Sequence, residues 1–488
     1  MKTLQPIALW NYFHEITQIP RPSKKEERII AYLKSFGGKN NLRTKTDTAG
    51  NVLICKPATR GCENKKTIIL QAHIDMVCEK NSDVDFNFET DAIQTYIEGD
   101  WVKAHGTTLG ADNGIGMSMM LAVLASDNLQ HPALECLFTV DEETGLTGAF
   151  ALDKNFLSGE VLVNLDSEDD GEIFVGCAGG IDTTAVLSYQ SEKTPENYFA
   201  FSVSVKGLKG GHSGDDINKG LGNANKILNR FLWTVNQQMD LRLCSFDGGN
   251  LRNAIAREAV ALACVPYSEK ENIRIQFNMF VTDIENEKGN IETMMRLNLE
   301  SESLPATVID KKTSDTLLDA LYACPHGVIA MSADMPDLVE TSTNLASIKM
   351  QDNQTILITT SQRSSVESSK YDIANQVESV FALTGASITH GDGYPGWKPN
   401  LNSEILNVAR ESYMVLFKSQ PKIRAIHAGL ECGLFLEKYP ALDMISIGPQ
   451  MYGVHSPDER LSISSTQNCW KWLVEILVLV CYKKYLIV

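Results

Sequence analysis

Three short apolar runs lead directly into acidic or imidazole side chains, and this pattern constrains the fold more than any other feature of the sequence. Runs of this length are typical of buried strands, and their alternation with helical segments predicts a largely parallel sheet. In such sheets, ligand-binding groups collect at the carboxyl ends of the strands. The runs are residues 67–72 before His73 and Asp75, residues 134–140 before Glu142 and Glu143, and residues 161–165 before Asp166.

The chain has 488 residues, more than one hydrophobic core usually supports, so we expect two domains. Residues 1–180 and 400–488 alternate between helical and buried-strand patterns and predict an α/β catalytic domain, with a mixed, largely parallel sheet flanked by helices. Strand-like segments within residues 181–399 alternate apolar and polar side chains, which predicts an inserted α+β lid domain with one exposed sheet face. Among the individual segments, we predict a helix at 114–125 and amphipathic strands at 201–205, 273–280 and 355–359.

Both ends of the chain carry helical signals. Ser23 and Glu26 have the spacing of a capping box and predict the start of a helix that continues through residues 29–33. The N-terminus lacks the basic and apolar regions of a signal peptide. Near the other end, residues 472–482 are apolar but include Glu475 and are too short to span a bilayer, so we expect a buried helix.

Charge and cysteine content limit the possible partners and compartment. The net charge of −17 disfavours binding to nucleic acid or to an anionic membrane surface. The 11 cysteines are scattered singly, without a CxxC pair. In a chain of this size, we therefore expect reduced thiols and a cytoplasmic location instead of a disulfide framework.

The acidic and imidazole residues at the strand ends indicate a metal site when they are considered together. Singly, a strand-end Asp is usually a helix N-cap, a lone His is usually packed in the core, and paired Glu residues usually form a solvated turn. Carboxylates that converge in one crevice would repel one another, and divalent cations remove that penalty. The mixed nitrogen and oxygen donors suit zinc and also tolerate manganese or cobalt. The predicted ligands of two ions are His73, Asp112, Glu143, Asp166 and His455.

Two further residues have predicted chemical roles beside these ligands. His73 and Asp75 are two residues apart, so in an extended segment their side chains lie on one side and Asp75 can orient the imidazole. Glu142 precedes a ligand and points to the opposite side of its backbone, which leaves it free to act as general base. Asp112 lies at the start of a helix, between glycine-rich segments that allow close approach of the chain.

Eight ordered segments of this chain resemble the family of zinc-dependent aminoacylases, carboxypeptidases and dipeptidases that have a two-metal site. The resemblance covers nearly the whole chain and is strongest to the dipeptidases that act on Xaa-His substrates such as beta-alanyl-histidine. The segments are LQAHIDMVCEK (70–80), GTTLGADNGIGM (106–117), FTVDEETGLTGA (138–149), VNLDSED (163–169), KGGHSGDDI (209–217), RNAIAREA (252–259), HAGLECG (427–433) and GPQMYGVHSPDERL (448–461).

The resemblance implies a division of the ligands between two ions. It implies that His73 and Asp166 bind one ion, that Glu143 and His455 bind the other, and that Asp112 bridges both. The peptide bond between Asp112 and Asn113 is often cis in such proteins. In the lid, the resemblance implies that His212 polarises the scissile carbonyl, that Asn253 and Arg363 hold the substrate carboxylate, and that Gly429 contributes a backbone contact.

The function that follows is metal-dependent hydrolysis of dipeptides, with broad specificity, by water activated between two zinc ions and with Glu142 as general base. An N-acyl-amino-acid deacylase or a small-peptide carboxypeptidase would use the same metals. A non-catalytic, metal-stabilised peptide-binding protein is a further alternative, and it predicts loss of Glu142 or of a ligand. We expect a small dipeptide as partner, no nucleic acid and no membrane, and either a monomer or a homodimer.

Overall fold

The computed structural model describes residues 1 and 3–482, and its first segment alternates strands with helices. The strands are β1 (Arg43–Thr46), β2 (Val52–Lys56), β3 (Ile68–His73), β4 (Thr95–Glu98), β5 (Trp101–Ala104), β6 (Leu134–Thr139), β7 (Val161–Asn164) and β8 (Glu172–Cys177). The helices are α1 (Ile7–Thr17), α2 (Glu27–Lys39), α3 (Ala111–Ala125) and α4 (Thr147–Ala151).

The middle segment is dominated by long antiparallel strands. They are β9 (Gly179–Ser188), β10 (Ser191–Lys193), β11 (Tyr198–Lys206), β12 (Arg242–Gly248), β13 (Ala259–Pro266), β14 (Arg296–Glu302), β15 (Thr307–Ile309), β16 (Gly327–Met331), β17 (Val339–Gln351), β18 (Thr355–Ser364) and β19 (Ser387–His390). The helices are α5 (Ala224–Asn236), α6 (Lys270–Lys288), α7 (Lys311–Ala323) and α8 (Glu367–Ala382), and a 3-10 turn spans Tyr267–Glu269.

The last segment returns to helices and short strands. Its elements are α9 (Glu404–Phe417), β20 (Lys422–Ile426), α10 (Glu431–Lys438), β21 (Asp443–Ser446), β22 (Met451–Tyr452), β23 (Arg460–Ser462) and α11 (Ile463–Tyr482). Helix α11 buries Trp472, Leu473, Ile476 and Leu477, which confirms the buried helix that the apolar run predicts. In the described part of the chain, no helix has the length and apolar character needed to cross a membrane.

The chain divides into two compact units. The split unit consists of Met1–Gly176, Pro399–Ala425 and Leu430–Val488, and the inserted unit consists of Cys177–Lys398 and Ile426–Gly429. The split unit contains an eight-stranded mixed sheet in the order β1-β2-β6-β3-β7-β21-β8-β20. Its central strands β6, β3, β7 and β21 run parallel to one another, whereas β2 and β8 pair antiparallel with β6 and β21. All residues of β3, β6 and β7 are buried, so the sheet has helices or loops on both faces.

The inserted unit is an α+β structure built on one antiparallel sheet. The strand order is β14-β11-β13-β12-β17-β18-β9-β19, and β16 pairs with β17. Strand β11 alternates between buried and partly exposed positions, the pattern of a sheet packed on one face. Helices α5 to α8 cover the buried face, where Phe201, Phe231 and Phe381 belong to one apolar core.

Three local predictions are wrong. Residues 273–280 form part of helix α6, because the buried positions Ile273, Phe277, Phe280 and Ile284 follow the helical period instead of the strand period. Ser23 and Glu26 do not form a capping box: helix α2 has no side-chain cap, and both residues bind other parts of the split unit. Cys62 and Cys481 are joined by a disulfide, since folding brings positions 419 residues apart to a Cα–Cα distance of 5.0 Å.

Candidate functional site

Parallel pairing of three strands brings the predicted site residues of the split unit to one edge of its sheet. Strand β3 lies between β6 and β7, with His73 opposite Thr139 and Gln71 opposite Asn164. The chain leaves each strand at the same edge, so His73, the Glu142–Glu143 pair and Asp166 emerge beside one another. The register, and not only the strand order, therefore determines which side chains meet.

Asp75 orients both His73 and the loop that carries the two glutamates. Its Oδ1 lies 3.2 Å from Nδ1 of the buried His73 and accepts the backbone N–H of Glu142 at 3.0 Å. Its Oδ2 accepts the N–H of Glu143 at 3.2 Å and the hydroxyl of Ser23 at 2.7 Å. Burial alone would raise the pKa of Asp75, but the hydrogen bonds with His73 and Ser23 lower it to about 2. The ionised carboxylate therefore holds Nε2 of His73 toward the crevice.

Asp112 lies between two groups of side chains. Its Oδ1 is 2.9 Å from Nε2 of His73, which is also 3.4 Å from Oδ1 of Asp166. Its Oδ2 is 3.2 Å from Nε2 of His455, which is also 3.0 Å from Oε2 of Glu143. Within each three-residue group, the possible ligand atoms lie within 4.8 Å of one another. One carboxylate is thus shared between two sets of nitrogen and oxygen donors.

The two groups differ in their access to solvent. His73 is buried, whereas the side chain of His455 is 53% exposed. The backbone of His455 has a φ of 64°, a left-handed conformation that is uncommon outside glycine and that turns the loop after β22. The peptide bond between Asp112 and Asn113 is cis, as the resemblance implies. Among these side chains, His455 is therefore the most open to solvent.

The charged groups at this edge strongly shift one another's pKa values. Burial raises the pKa of Glu142 well above its ordinary value, and the nearby carboxylates of Asp166 and Glu431 raise it further. Hydrogen bonds with Asp112 and Glu143 raise the pKa of His455 to about 11. Without another cation, the crowded carboxylates thus favour protonation of their neighbours.

The donor set fits divalent metal ions. Imidazole nitrogens and carboxylate oxygens are the ligands of zinc and of similar borderline ions. Oε1 of Glu143 is buried and has no hydrogen-bond partner among the described residues, although a buried carboxylate oxygen normally has one. A cation at this position would satisfy that oxygen and would offset the charge of the carboxylates. The two groups around Asp112 are accordingly suited to metal binding.

A separate acidic cluster consists of Glu26, Asp75 and Asp141. Its oxygens accept hydrogen bonds from neighbouring residues. Oε1 of Glu26 accepts the N–H of Asp141 at 3.0 Å, and the Asp141 carboxylate accepts the hydroxyls of Thr144 and Thr147 at 2.5 Å each. These bonds stabilise the loop after β6. The cluster therefore supports the glutamate loop and is not a second metal site.

A buried polar network beneath the strand ends was not predicted from the sequence. Oε2 of Glu431 accepts hydrogen bonds from Gln71 at 2.6 Å and Thr139 at 2.9 Å. Gln71 in turn accepts a bond from Asn164 at 2.5 Å, and Asn164 accepts the N–H of Asp166 at 3.3 Å. Glu431 is only 1% exposed. The polar residues within otherwise apolar strands are the signal that could have revealed this network.

His212 is held on a loop of the inserted unit. It forms an isolated bridge with Ala254, and the N–H of Ser213 donates to the carbonyl of Asn253 at 2.8 Å. Nδ1 of His212 accepts the N–H groups of Gly214 and Asp215 at 3.3 and 3.2 Å. Nδ1 is therefore engaged by the loop itself, and Nε2 is the ring nitrogen available to a ligand.

Arg363 is a buried cation near His212. The residue is 7% exposed, and among the described residues its guanidinium contacts hydroxyls and an imidazole but forms no ion pair with a carboxylate. Its Nη1 donates to the Tyr394 hydroxyl at 2.9 Å, and its Nη2 lies 3.5 Å from Nε2 of His212. A Cβ on Gly429 would come within 2.8 Å of the Tyr394 ring, so only glycine fits there. Tyr394 is a second group that sequence reasoning missed.

The predicted residues therefore form two clusters, one in each unit. The split unit brings together His73, Asp75, Asp112, Glu142, Glu143, Asp166 and His455. The inserted unit brings together His212, Arg363 and, through Tyr394, Gly429, while Asn253 is exposed beside the His212 loop. The chemical roles of these residues stay predictions.

Comparison with known proteins gives matches over nearly the whole chain. The model of peptidase family M20/M25/M40 matches residues 69–478. The cytosol non-specific dipeptidase of Escherichia coli (strain K12) is 45% identical over 477 residues, which cover 98% of each protein. The crystal structure of aminoacylhistidine dipeptidase from Vibrio alginolyticus matches with a TM-score of 0.93 and 44% identity, covering 98% of this chain and 97% of the other. A tripeptidase from Staphylococcus aureus shares the fold, with a TM-score of 0.57 and 17% identity. The match covers 98% of this chain and 100% of the other.

The carboxyl of Glu431 predicts a pH-dependent stability of the metal-free protein. Burial, above all, raises its pKa from 4.5 to about 8, despite the opposing effect of His73. A raised carboxyl pKa means that its stabilising contribution is complete below pH 4.5 and is lost as pH rises through about 8. We expect this group to lower the free energy of unfolding by at most about 1.4 kcal/mol per pH unit in that range.

Glu431→Gln imitates the protonated carboxyl and should remove this part of the pH dependence. The measurement is urea unfolding of the metal-free protein at several pH values between about 5 and 8. Glu135→Gln is the matched control, since Glu135 is also a buried carboxylate but binds the backbone of Ser158 and Gly159 at the other end of β6. The same slope in wild type and Glu431→Gln would contradict the prediction.

Proposed function

The chain belongs to peptidase family M20/M25/M40, and from this membership we propose that it hydrolyses dipeptides with two divalent metal ions, zinc being the best fit. The observation that carries the proposal is the shared position of Asp112 between two sets of donors. The names of the E. coli and Vibrio relatives, a non-specific dipeptidase and an aminoacylhistidine dipeptidase, support broad specificity that includes Xaa-His substrates such as beta-alanyl-histidine. The name of the E. coli relative also supports a cytosolic location.

The residues that would hold the ions are those grouped around Asp112. His73 and Asp166 would hold one ion, Glu143 and His455 the other, and Asp112 would contact both. When bound, such ions act as Lewis acids that lower the pKa of water and polarise a carbonyl. Asp75 keeps His73 in the tautomer that presents an unprotonated Nε2, because it accepts the proton of Nδ1.

Glu142 is the proposed proton carrier. Its backbone N–H donates to Asp75. Its carboxyl lies close to His73 and Glu143 but belongs to neither of the two groups around Asp112. Its oxygen takes a proton from the attacking water and delivers it to the nitrogen of the departing amino acid. The carboxyl thus returns to its ionised form at the end of each turnover.

The inserted unit is proposed to recognise the substrate's terminal carboxylate. Arg363 offers a planar guanidinium in a buried position, and Tyr394 orients it without neutralising its charge. Bidentate pairing with a carboxylate is the interaction that this geometry favours. Asn253 and the backbone of Gly429 would complete the recognition, and Nε2 of His212 would donate to the developing oxyanion. A group that binds the terminal carboxylate of the substrate restricts the length of peptide that the site accepts.

Glu142→Gln tests the proton transfer. We expect kcat for beta-alanyl-histidine to fall by about 10²- to 10⁴-fold, because the amide cannot accept the proton, while the number of bound metal ions is unchanged. Amino-acid release and metal content of the purified protein are measured together, with the exposed Glu98→Gln as control. Retained turnover in Glu142→Gln would contradict its role.

The same assay separates the alternative functions. Faster hydrolysis of N-acetyl amino acids than of dipeptides would favour the deacylase. Metal-dependent binding of dipeptides without hydrolysis by the wild type would favour a peptide-binding protein. Loss of dipeptide hydrolysis on chelation, with recovery on adding zinc or manganese, is the result expected of the proposed function.

Arg363→Lys tests carboxylate recognition through a pair of substrates. The wild type should prefer a dipeptide with a free carboxylate over the same dipeptide as its amide, since only the former pairs with Arg363. In the variant, kcat/KM for the free acid should fall on the order of 100-fold, because lysine keeps the charge but loses the bidentate hydrogen bonds, each worth about 1.5–3 kcal/mol, and the preference for the acid should shrink. Arg230→Lys, an exposed arginine paired with Glu287, is the control. An unchanged acid-to-amide ratio in Arg363→Lys would contradict the prediction.

A further inference from the structure

The segment Leu109–Asp112 has no means of its own to fix the Asp112 carboxylate. It precedes the first full turn of α3, where backbone N–H groups lack partners within the helix. Gly110 has a φ of 68°, and the helix has no N-cap side chain. The conformation of this segment must therefore be imposed by groups from elsewhere in the split unit.

The buried carboxylate of Glu459 accepts all four consecutive amides of this segment. Oε2 accepts the N–H of Leu109 at 2.7 Å and of Gly110 at 3.1 Å. Oε1 accepts the N–H of Ala111 at 2.8 Å and, more weakly, of Asp112 at 3.4 Å. Glu459 is 2% exposed. An ordinary N-cap satisfies one amide, so a carboxylate that binds four in a row fixes the segment far more tightly.

Arg21 binds the other side of the same segment. Its guanidinium donates to the carbonyl of Gly110, whose N–H is bound by Glu459. It also donates to the carbonyls of Ile74 at 2.9 Å and Asp75 at 2.5 Å, directly after the strand that ends at His73. Arg21 is buried as well. Two buried, opposite charges thus hold the Asp112 segment against the end of β3.

Glu459 is also linked to the loop that carries His455. The two residues are four positions apart, and the N–H of Glu459 donates to the carbonyl of Ser456 at 3.1 Å, which closes a tight turn. Nε2 of His455 lies 3.2 Å from Oδ2 of Asp112. One short turn therefore connects the residue that holds the Asp112 backbone with the imidazole that faces the Asp112 side chain.

We propose that Glu459 is a positioning residue for the metal site: by binding the amides of residues 109–112 from the His455 loop, it sets Asp112 and His455 at the spacing that two ions require. The inference rests on the proposed function, because it assumes that these side chains bind metal. Buried polar partners of ligand-bearing elements typically change metal affinity about 10- to 100-fold when they are removed. Glu459 acts through backbone geometry and does not itself touch the ions.

Glu459→Gln is the main test, because it keeps the size of the side chain but replaces one acceptor oxygen with a donor that faces backbone N–H groups. Glu135→Gln is the matched control: Glu135 is a buried carboxylate that accepts the amides of Ser158 and Gly159, far along β6 from Glu142. Both variants should lower the unfolding midpoint, since each removes bonds to buried amides. The zinc affinity of the metal-free protein, measured by competition with a chromophoric chelator, should fall about 10- to 100-fold only in Glu459→Gln.

Equal zinc affinity in Glu459→Gln and wild type would overturn the inference and leave the proposed function standing. A wild type that binds no zinc would instead overturn the proposed function. If Glu459→Gln does not fold, Glu459→Asp answers the same question, since it keeps both oxygens but withdraws them by one methylene. We expect Glu459→Asp to bind zinc at least about 3-fold more weakly than wild type, and wild-type affinity in it would overturn the inference.

Discussion

The repulsion among carboxylates at one sheet edge is the constraint on which the rest of this structure depends. Three parallel strands end side by side, and each end carries an acidic or imidazole side chain. In the metal-free protein, burial and the nearby negative charges raise the pKa of Glu142, and hydrogen bonds with Asp112 and Glu143 raise the pKa of His455. Additional positive charge would offset this repulsion, and the proposed pair of divalent cations would supply it.

Around this edge, the split unit uses buried hydrogen bonds to resist the repulsion. Asp75 holds the glutamate loop by two amides, Glu431 links the polar side chains of β3 and β6, and Glu459 holds the Asp112 segment by four amides. Each of these carboxyl groups accepts several hydrogen bonds, which offset part of the cost of its burial. These bonds hold the ligand-bearing segments in place without help from a bound ion, as a defined metal geometry requires.

Much of the fold and of the site followed from the sequence, because strand ends that carry ligands leave a local pattern. The buried strands, helix α3 and the residues around Asp112 were all predicted. The eight residues 273–280 fit both the strand period and the helical period, which is why they predict a strand. Only the further turns of α6 show that the helical period holds. Ser23 and Glu26 had the spacing of a capping box, yet tertiary contacts with Asp75 and Asp141 prevailed. Glu431, Glu459 and the Cys62–Cys481 disulfide depend on contacts over hundreds of residues, which no local pattern reveals.

The most direct test of this account is anomalous diffraction from crystals grown with zinc, recorded on both sides of the zinc absorption edge. Two peaks are predicted in the split unit. One should lie beside Oδ1 of Asp112, near His73 and Asp166, and the other beside Oδ2, near Glu143 and His455. A single peak, or two peaks that lie away from Asp112, would contradict the claim that a pair of cations balances the negative charge of the carboxylates at this sheet edge.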